Sequence, residues 1–281
     1  MKEISVSTFD ELKEQVDELL SKFGRHEFAG YSQANQVVFR GQADSDWELK
    51  STLERTSSRD WTLRRYLRLA DRIRPIIESY YPLPFSNPSK EEVDRWLRDE
   101  AQPHGIFNMP SYNYLLYLRH HGFPSPFVDW TTSLYIATGF AFFRDNAADN
   151  KAVFMYIDTI NGGKGGWEGD PEIHLFGHYV KTHKRHFLQQ ARYTICFNRT
   201  NETIPLEKYS KVVSGSEDRE QDLLWKFIIP SSERESILRS LMSVNISPFS
   251  LMPSRENLMD TLWLNEEALP EFDRLKYNKK N

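Results

Sequence analysis

The segment 134–143, LYIATGFAFF, limits the fold of this chain more than any other. It has helical length and is almost wholly apolar, so a helix there is buried on most of its sides. The rest of the chain must wrap it. The segments that follow are suited to this: residues 152–158, 192–197 and 224–229 are short apolar and aromatic runs that read as strands. Helical patterns dominate before residue 144 and strands enter after it, which predicts an α+β fold on a mixed or antiparallel sheet, with a substantial helical N-terminal half.

The periodicity places the other elements. Ser7 and Thr8 precede Asp10 and Glu11 with capping-box spacing. Phe9, Leu12, Val16, Leu19, Leu20 and Phe23 then repeat as one helical face, with Gly24 as a stop. Residues 25–35 read as a polar connection. Val37-Val38-Phe39-Arg40 reads as a short buried strand and residues 41–46 as a turn. A helix is expected over 60–80, kinked or interrupted at Pro75. Others are expected over 89–101, 111–120, 131–143, 231–243 and 254–263. The organisation predicted is an N-terminal helix over 1–30, one domain over 31–265 and a tail over 266–281.

Composition excludes several classes. Lys+Arg is 36 against Asp+Glu 40, for a net charge of −4, with 39% hydrophobic and 14% aromatic residues. That is too apolar for a disordered chain. One cysteine, Cys196, excludes a disulfide scaffold and a Cys-rich zinc module. No stretch approaches the ~18 apolar residues of a membrane span, and the first residues lack the apolar core of a secretory signal. The expectation is a cytoplasmic protein without a membrane partner.

Three constellations can carry chemistry. Phe39-Arg40-Gly41-Gln42 ends a strand, where a planar guanidinium grips phosphate in bidentate fashion and Gly41 lets a ligand approach the backbone. The bland alternative is an ion pair of Arg40 with Asp44 or Asp46. Arg119-His120-His121-Gly122 leads to Asp129-Trp130-Thr131-Thr132-Ser133, which gathers imidazoles, a carboxylate, an indole and hydroxyls. Asp129 or Thr131 could cap the next helix, Trp130 could stack on a base, and His120 could titrate near neutral pH. The segment 183–193, with Arg185, Gln189, Gln190 and Tyr193, runs into a strand and is otherwise a solvated basic connection. Arg64, Arg65, Arg68 and Arg72 form either a solvated helix face or a phosphate-binding stripe. His174, His178, His183 and His186 fall in one window, but Gly177 separates the first pair and no metal is expected. The loop 162–166 is not a phosphate-binding P-loop.

Taken together, these blocks resemble the FRG domain family, named for a Phe/Tyr-Arg-Gly motif. Here that motif is Val38-Phe39-Arg40-Gly41-Gln42. The family's Gln-His-Tyr-Gly-Leu-Pro-Thr block followed by Asp-Trp-Thr is similar to Arg119–Ser125 and Asp129-Trp130-Thr131. The Arg-x-x-x-Gln-Gln-Gly-x-Phe block is similar to Arg185–Tyr193. Arg119 stands where Gln is common and Ala191 where Gly is. The order Arg40, then Thr131-Thr132-Ser133, then Gln189-Gln190 also resembles ADP-ribosyltransferases of the Arg-Ser-Glu class.

That resemblance implies an ADP-ribosyltransferase-like sheet and NAD as co-substrate. Arg40, Gly41, Gln42 and His120 would bind NAD and Trp130 or Tyr193 would stack on it, while Asp129, Thr131, Ser133 and Gln189 would form the catalytic site. The class has a Glu where this chain has Gln189. The carboxylate then comes from Asp129, or from Glu217, Glu220 or Asp222, or the fold binds without transfer. The function implied is a toxin-like bacterial effector of phage-defence or toxin–antitoxin type. It would transfer ADP-ribose to a macromolecule, RNA before DNA or protein, and be held by a neutralising antitoxin-type partner. Arg64, Arg65, Arg68, Arg72 and Arg185 would meet the nucleic acid or the partner. The alternatives are a non-catalytic module that senses a nucleotide or a phage product, and a nuclease using His120, His121 and Asp129.

Overall fold

The computed structural model describes residues 1–28, 31–100, 109–164, 170–176, 184–198, 203–213 and 220–268. Its strands are β1 (Lys2–Ser5), β2 (Arg25–Phe28), β3 (Tyr31–Ala34), β4 (Val37–Gln42), β5 (Val128–Thr131), β6 (Asn150–Thr159), β7 (Pro171–Phe176), β8 (Ala191–Asn198) and β9 (Gln221–Pro230). Its α-helices are α1 (Phe9–Phe23), α2 (Thr52–Thr56), α3 (Leu63–Glu78), α4 (Lys90–Arg95), α5 (Tyr112–His120), α6 (Leu134–Phe142), α7 (Lys184–Leu188), α8 (Tyr209–Val213), α9 (Arg234–Ser243), α10 (Pro248–Leu251) and α11 (Arg255–Ala268).

Alternation along the strands builds the layers. Ala152, Phe154 and Tyr156 of β6 face one core, and Val153, Met155 and Ile157 face another. Seven strands join in the order β1-β9-β6-β4-β5-β8-β7, with β2 and β3 forming a separate hairpin. Only β1 and β9 pair in parallel; the other sheet neighbours are antiparallel, so the sheet is mixed and the class is α+β as expected. Phe9, Leu12 and Val16 of α1 and Ile237, Leu238 and Leu241 of α9 pack with α6 over the β6–β9 half. At the other end of the sheet, Tyr193, Ile195 and Phe197 of β8 meet Leu63, Tyr66 and Leu67 of α3 and Tyr114 and Leu115 of α5. Each fully buried large side chain of this kind contributes roughly 1.5–3 kcal/mol of transfer free energy.

Helix α6 meets the expectation drawn from its composition: Ile136, Ala137, Thr138, Gly139, Ala141 and Phe142 are all buried. It lies directly on β4. A Cβ at Gly41 would stand 1.9 Å from the Ala137 carbonyl oxygen and 2.7 Å from the Ala141 nitrogen. The strand that carries Arg40 is thus pressed against a helix backbone, and only glycine fits there.

Several elements differ from expectation. The helix expected over 131–143 is two elements, β5 and α6, because Ser133 in extended backbone caps α6 by accepting a hydrogen bond from the Ile136 N–H (3.3 Å). Neither Asp129 nor Thr131 is the cap. The connection over 25–35 contains the β2–β3 hairpin. Helix α3 passes through Pro75 and ends at Glu78. The helix expected over 89–101 begins at α4 with the Ser89–Glu92 capping box, then becomes a π-helix over Trp96–Glu100. Strand β4 extends through Gly41 and Gln42, which were expected in a turn. Among the described residues, no helix is long and apolar enough to cross a membrane.

Candidate functional site

Strand β4 pairs with β6 along its whole length, Val37 to Gln42, but with β5 only at Phe39↔Thr131. Beyond that pair the two halves of the sheet part, and a cleft of about 950 Å³ opens along the seam. Arg40, Gly41 and Gln42 line it from β4, Asp129 and Thr131 from β5, and Arg119 and His120 from the end of α5. Arg185, Gln189, Ala191 and Tyr193 close one side, and Asn257, Asp260, Trp263 and Leu264 of α11 another.

The centre of the cleft is a cation–anion cluster. Asp129 lies between Val128 and Trp130, so alternation turns it away from the core that they fill. Arg119 donates to both carboxylate oxygens of Asp129, Nε to Oδ1 and Nη2 to Oδ2, and its Nη1 reaches the Thr52 hydroxyl at 3.3 Å. Burial pushes the Asp129 carboxyl up, but the charge and hydrogen bonds of Arg119, with Arg40 and His120 beyond, outweigh it and hold the group below its ordinary value. Arg40 Nη1 donates to the Asp129 carbonyl oxygen at 2.7 Å. This contact replaces the ion pair with Asp44 or Asp46 that the sequence allowed. Burial lowers Arg40 to about 10, aided by Arg119 and Arg55 and opposed by Asp129, so it stays charged at neutral pH.

On β4, Arg40 Nε and Gln42 Oε1 are buried in the cleft without a hydrogen-bond partner among the described residues. A buried unsatisfied group costs about 1–3 kcal/mol, more when charged, so native proteins leave few of them. Six arginines line the cleft (Arg40, Arg55, Arg119, Arg144, Arg185, Arg234) against three aspartates (Asp129, Asp145, Asp260). Two indoles on its wall, Trp47 and Trp263, are 49% and 68% exposed. Arginines and accessible aromatic faces together suit a ligand with phosphates and a flat base.

The site residues expected from the sequence divide into two groups. Arg40, Gly41, Gln42, His120, Asp129, Trp130, Thr131, Arg185, Gln189 and Tyr193 all line this cleft. Within that set, two expected roles need correction. The Trp130 indole is 3% exposed, donates to the Thr194 hydroxyl at 2.7 Å and packs on Tyr156, so it is unavailable for stacking on a ligand. The Tyr193 ring is buried against His186 and its hydroxyl bonds His120 Nε2 at 2.9 Å and His186 Nδ1 at 3.1 Å, so it too is unavailable for stacking on a ligand. Gln189 donates from Nε2 to the Leu251 carbonyl at 3.3 Å. Thr131 is buried and its hydroxyl accepts from the Ser133 N–H at 3.1 Å.

The other group lies off the cleft. Ser133 is the α6 cap. Arg64 pairs with Asp94, Arg65 covers the Trp61 ring at 4.6 Å, and Arg68 and Arg72 are exposed along α3; none of these four lines the cleft. The phosphate-binding stripe expected on α3 is therefore separate from the arginines of the cleft. Asp222 is buried beside Lys164 and Tyr156, and Glu220 accepts from Asn161; both are outside the cleft. Glu217, His178 and His183 lie outside the described residues. No group of three or more potential metal ligands occurs among the described residues.

Sequence reasoning missed Arg55, Arg144, Arg234, Trp47, Asp260 and Trp263, and treated Arg119 only as a departure from a family pattern. The α11 residues come from a helix with no local motif. Arg119 had a usable signal, since a guanidinium ten residues before a carboxylate, across a tight Pro-containing link, can fold back onto it.

The profile of the FRG domain family matches residues 35–150. The match takes in Arg40, Arg119, His120, Asp129 and Thr131, and it ends before Gln189, Tyr193 and α11. No curated protein and no solved structure matches the chain.

Proposed function

We propose that this FRG-domain chain binds NAD in the seam cleft and transfers its ADP-ribose to a macromolecule. RNA is favoured over DNA or protein as the acceptor. The chain would be a toxin-like effector of phage-defence or toxin–antitoxin type, held by a neutralising partner. The observation that carries the reading is the half-buried guanidinium of Arg40, its buried Nε unanswered, beside an ionised Asp129 in a cleft rich in arginine. A pyrophosphate supplies the acceptor oxygens that Arg40 lacks, and charge-assisted bonds of this kind are the strong ones. The exposed Trp47 and Trp263 offer surfaces for the bases. As nicotinamide leaves, positive charge grows on the ribose, and fixed anions in the cleft favour it.

One observation favours a second reading. Arg119 occupies both oxygens of Asp129, and Gln189 is an amide, so the same cleft could hold a nucleotide without altering it. Labelled NAD incubated with bacterial RNA, DNA and protein separates the two. Label on one polymer class, lost with Arg40→Ala, supports transfer. Binding of NAD that stays intact would overturn transfer and leave the sensing role; shortened RNA or DNA without NAD would indicate a nuclease.

A further inference from the structure

We infer that Asp260, on α11, is the carboxylate that acts at the ribose in this cleft; the inference rests on the NAD-dependent transfer proposed above. Three carboxylates line the cleft, and their surroundings differ. Both Asp129 oxygens accept from Arg119, whose charge holds the carboxyl below its ordinary value and makes it a weak proton acceptor. Asp145 is exposed, but it follows the apolar end of α6 and its charge serves the buried Lys151. Asp260 is exposed and has no hydrogen-bond or ion-pair partner among the described residues.

The fold explains how α11 takes over from Gln189. Gln189 binds the carbonyl of Leu251 in α10. The next residue's carbonyl, that of Met252, accepts from Asn257 Nδ2 at 2.7 Å, and the Phe249 N–H donates to Thr261 Oγ1 at 2.9 Å. Helix α10 is thus clasped by the Gln189 amide on one side and by α11 on the other. Asn257, Asp260 and Leu264 share one face of α11 by helical spacing and line the cleft together. Leu264, 3% exposed, anchors that face in the core, so Asp260 is held over the cleft by a packed helix.

In the step proposed, the bond between nicotinamide nitrogen and ribose C1 breaks, and its electron pair leaves with nicotinamide. The Asp260 carboxylate stabilises the cationic ribose. A lone pair of the acceptor closes the new bond to C1, and the acceptor's proton passes to Asp260 and on to water. Charge and atoms balance without a further reactant.

The test is kcat and NAD affinity for wild type, Asp260→Asn and Asp260→Glu, with folding checked by thermal denaturation. Asparagine is expected to lower both nicotinamide release and transfer about 100- to 1000-fold, with NAD binding within about threefold of wild type, as expected when the loss is confined to the transition state. Glutamate is expected to restore part of the rate. Wild-type activity with Asp260→Asn equally active overturns the Asp260 assignment alone. Loss in Asp129→Asn with Asp260→Asn active moves the role to Asp129. No reaction in wild type overturns the transfer reading and this inference together.

Discussion

Two regions of the molecule place charged side chains against the same sheet, and they resolve that burden differently. Outside the cleft lining, Lys164 Nζ bonds Asp158 at 2.8 Å, Asp222 at 2.5 Å, the Tyr156 hydroxyl at 3.1 Å and the Ile173 carbonyl. Burial pulls the lysine down, but the two carboxylates prevail and hold it above its ordinary value. Every donor of the ammonium is answered from within the chain. In the cleft, Arg40 is answered at one nitrogen by a backbone carbonyl, while its Nε and the Gln42 oxygen are not. A completed network serves the fold. An incomplete one, at an opening in the sheet, is what the proposed nucleotide would complete.

The largest effect that would break this contrast is on Arg40. Arg40→Ala is expected to reduce transfer by at least about 1000-fold, on the order of 4 kcal/mol at the transition state, while the midpoint of thermal unfolding moves by only a few degrees. A large loss of stability instead would place Arg40 with the structural network. Lys164→Met should do the reverse. It leaves two carboxylates uncompensated and is expected to cost about 3 kcal/mol in chemical denaturation, with the folded fraction binding NAD as wild type does.

Trp263→Ala sharpens the account of the cleft. A lost stacking surface is worth roughly 1–2 kcal/mol, so NAD should bind about tenfold more weakly; unchanged affinity would remove α11 from the binding wall. The smallest expected effect concerns His174, which neighbours the Lys164 network. Burial, then the charge of Lys164, pushes this imidazole well below its ordinary value. The unfolded chain therefore takes up a proton near pH 6.5 that the folded chain refuses. Its contribution is constant above that pH and is lost as pH falls, by at most about 1.4 kcal/mol per pH unit. Comparing wild type with His174→Phe between pH 7 and pH 5 reads this slope together with that of Glu172, 3.5 Å from the imidazole, and Phe offers a ring for the stack on Phe197 (4.1 Å between ring centres). Parallel curves would contradict the assignment.

Much of this arrangement was legible in the sequence where one pattern ran long enough. Strands β6, β8 and β9 and helices α1, α3 and α5 follow their hydrophobic period, and the Arg40 and Asp129 motifs do meet in one cleft. Strand β5 was not legible, because Val128-Asp129-Trp130-Thr131 alternates over only four residues, too short a run to stand out between a Pro-containing link and an apolar helix. Missing it had a specific consequence. Without the strand, Asp129 and Trp130 read as neighbours in one site, whereas alternation sends the carboxylate to the cleft and the indole to the core. The hairpin β2–β3 and strand β1 are too polar to signal burial. Asp260 and Trp263 belong to the site only because α10 folds α11 over it, a relation between distant segments that local spacing does not encode.

The lone Phe39↔Thr131 pair has a mechanical consequence. A sheet transmits force between strands through its ladder of hydrogen bonds, and here the ladder narrows to one rung between two broad, well-packed plates. A ligand gripped by Arg40 and α11 on one plate and by β5 on the other acts as a brace across that narrow rung. Its arrival should therefore slow amide hydrogen exchange on both plates at once, including at β4 and β8 positions that it never touches.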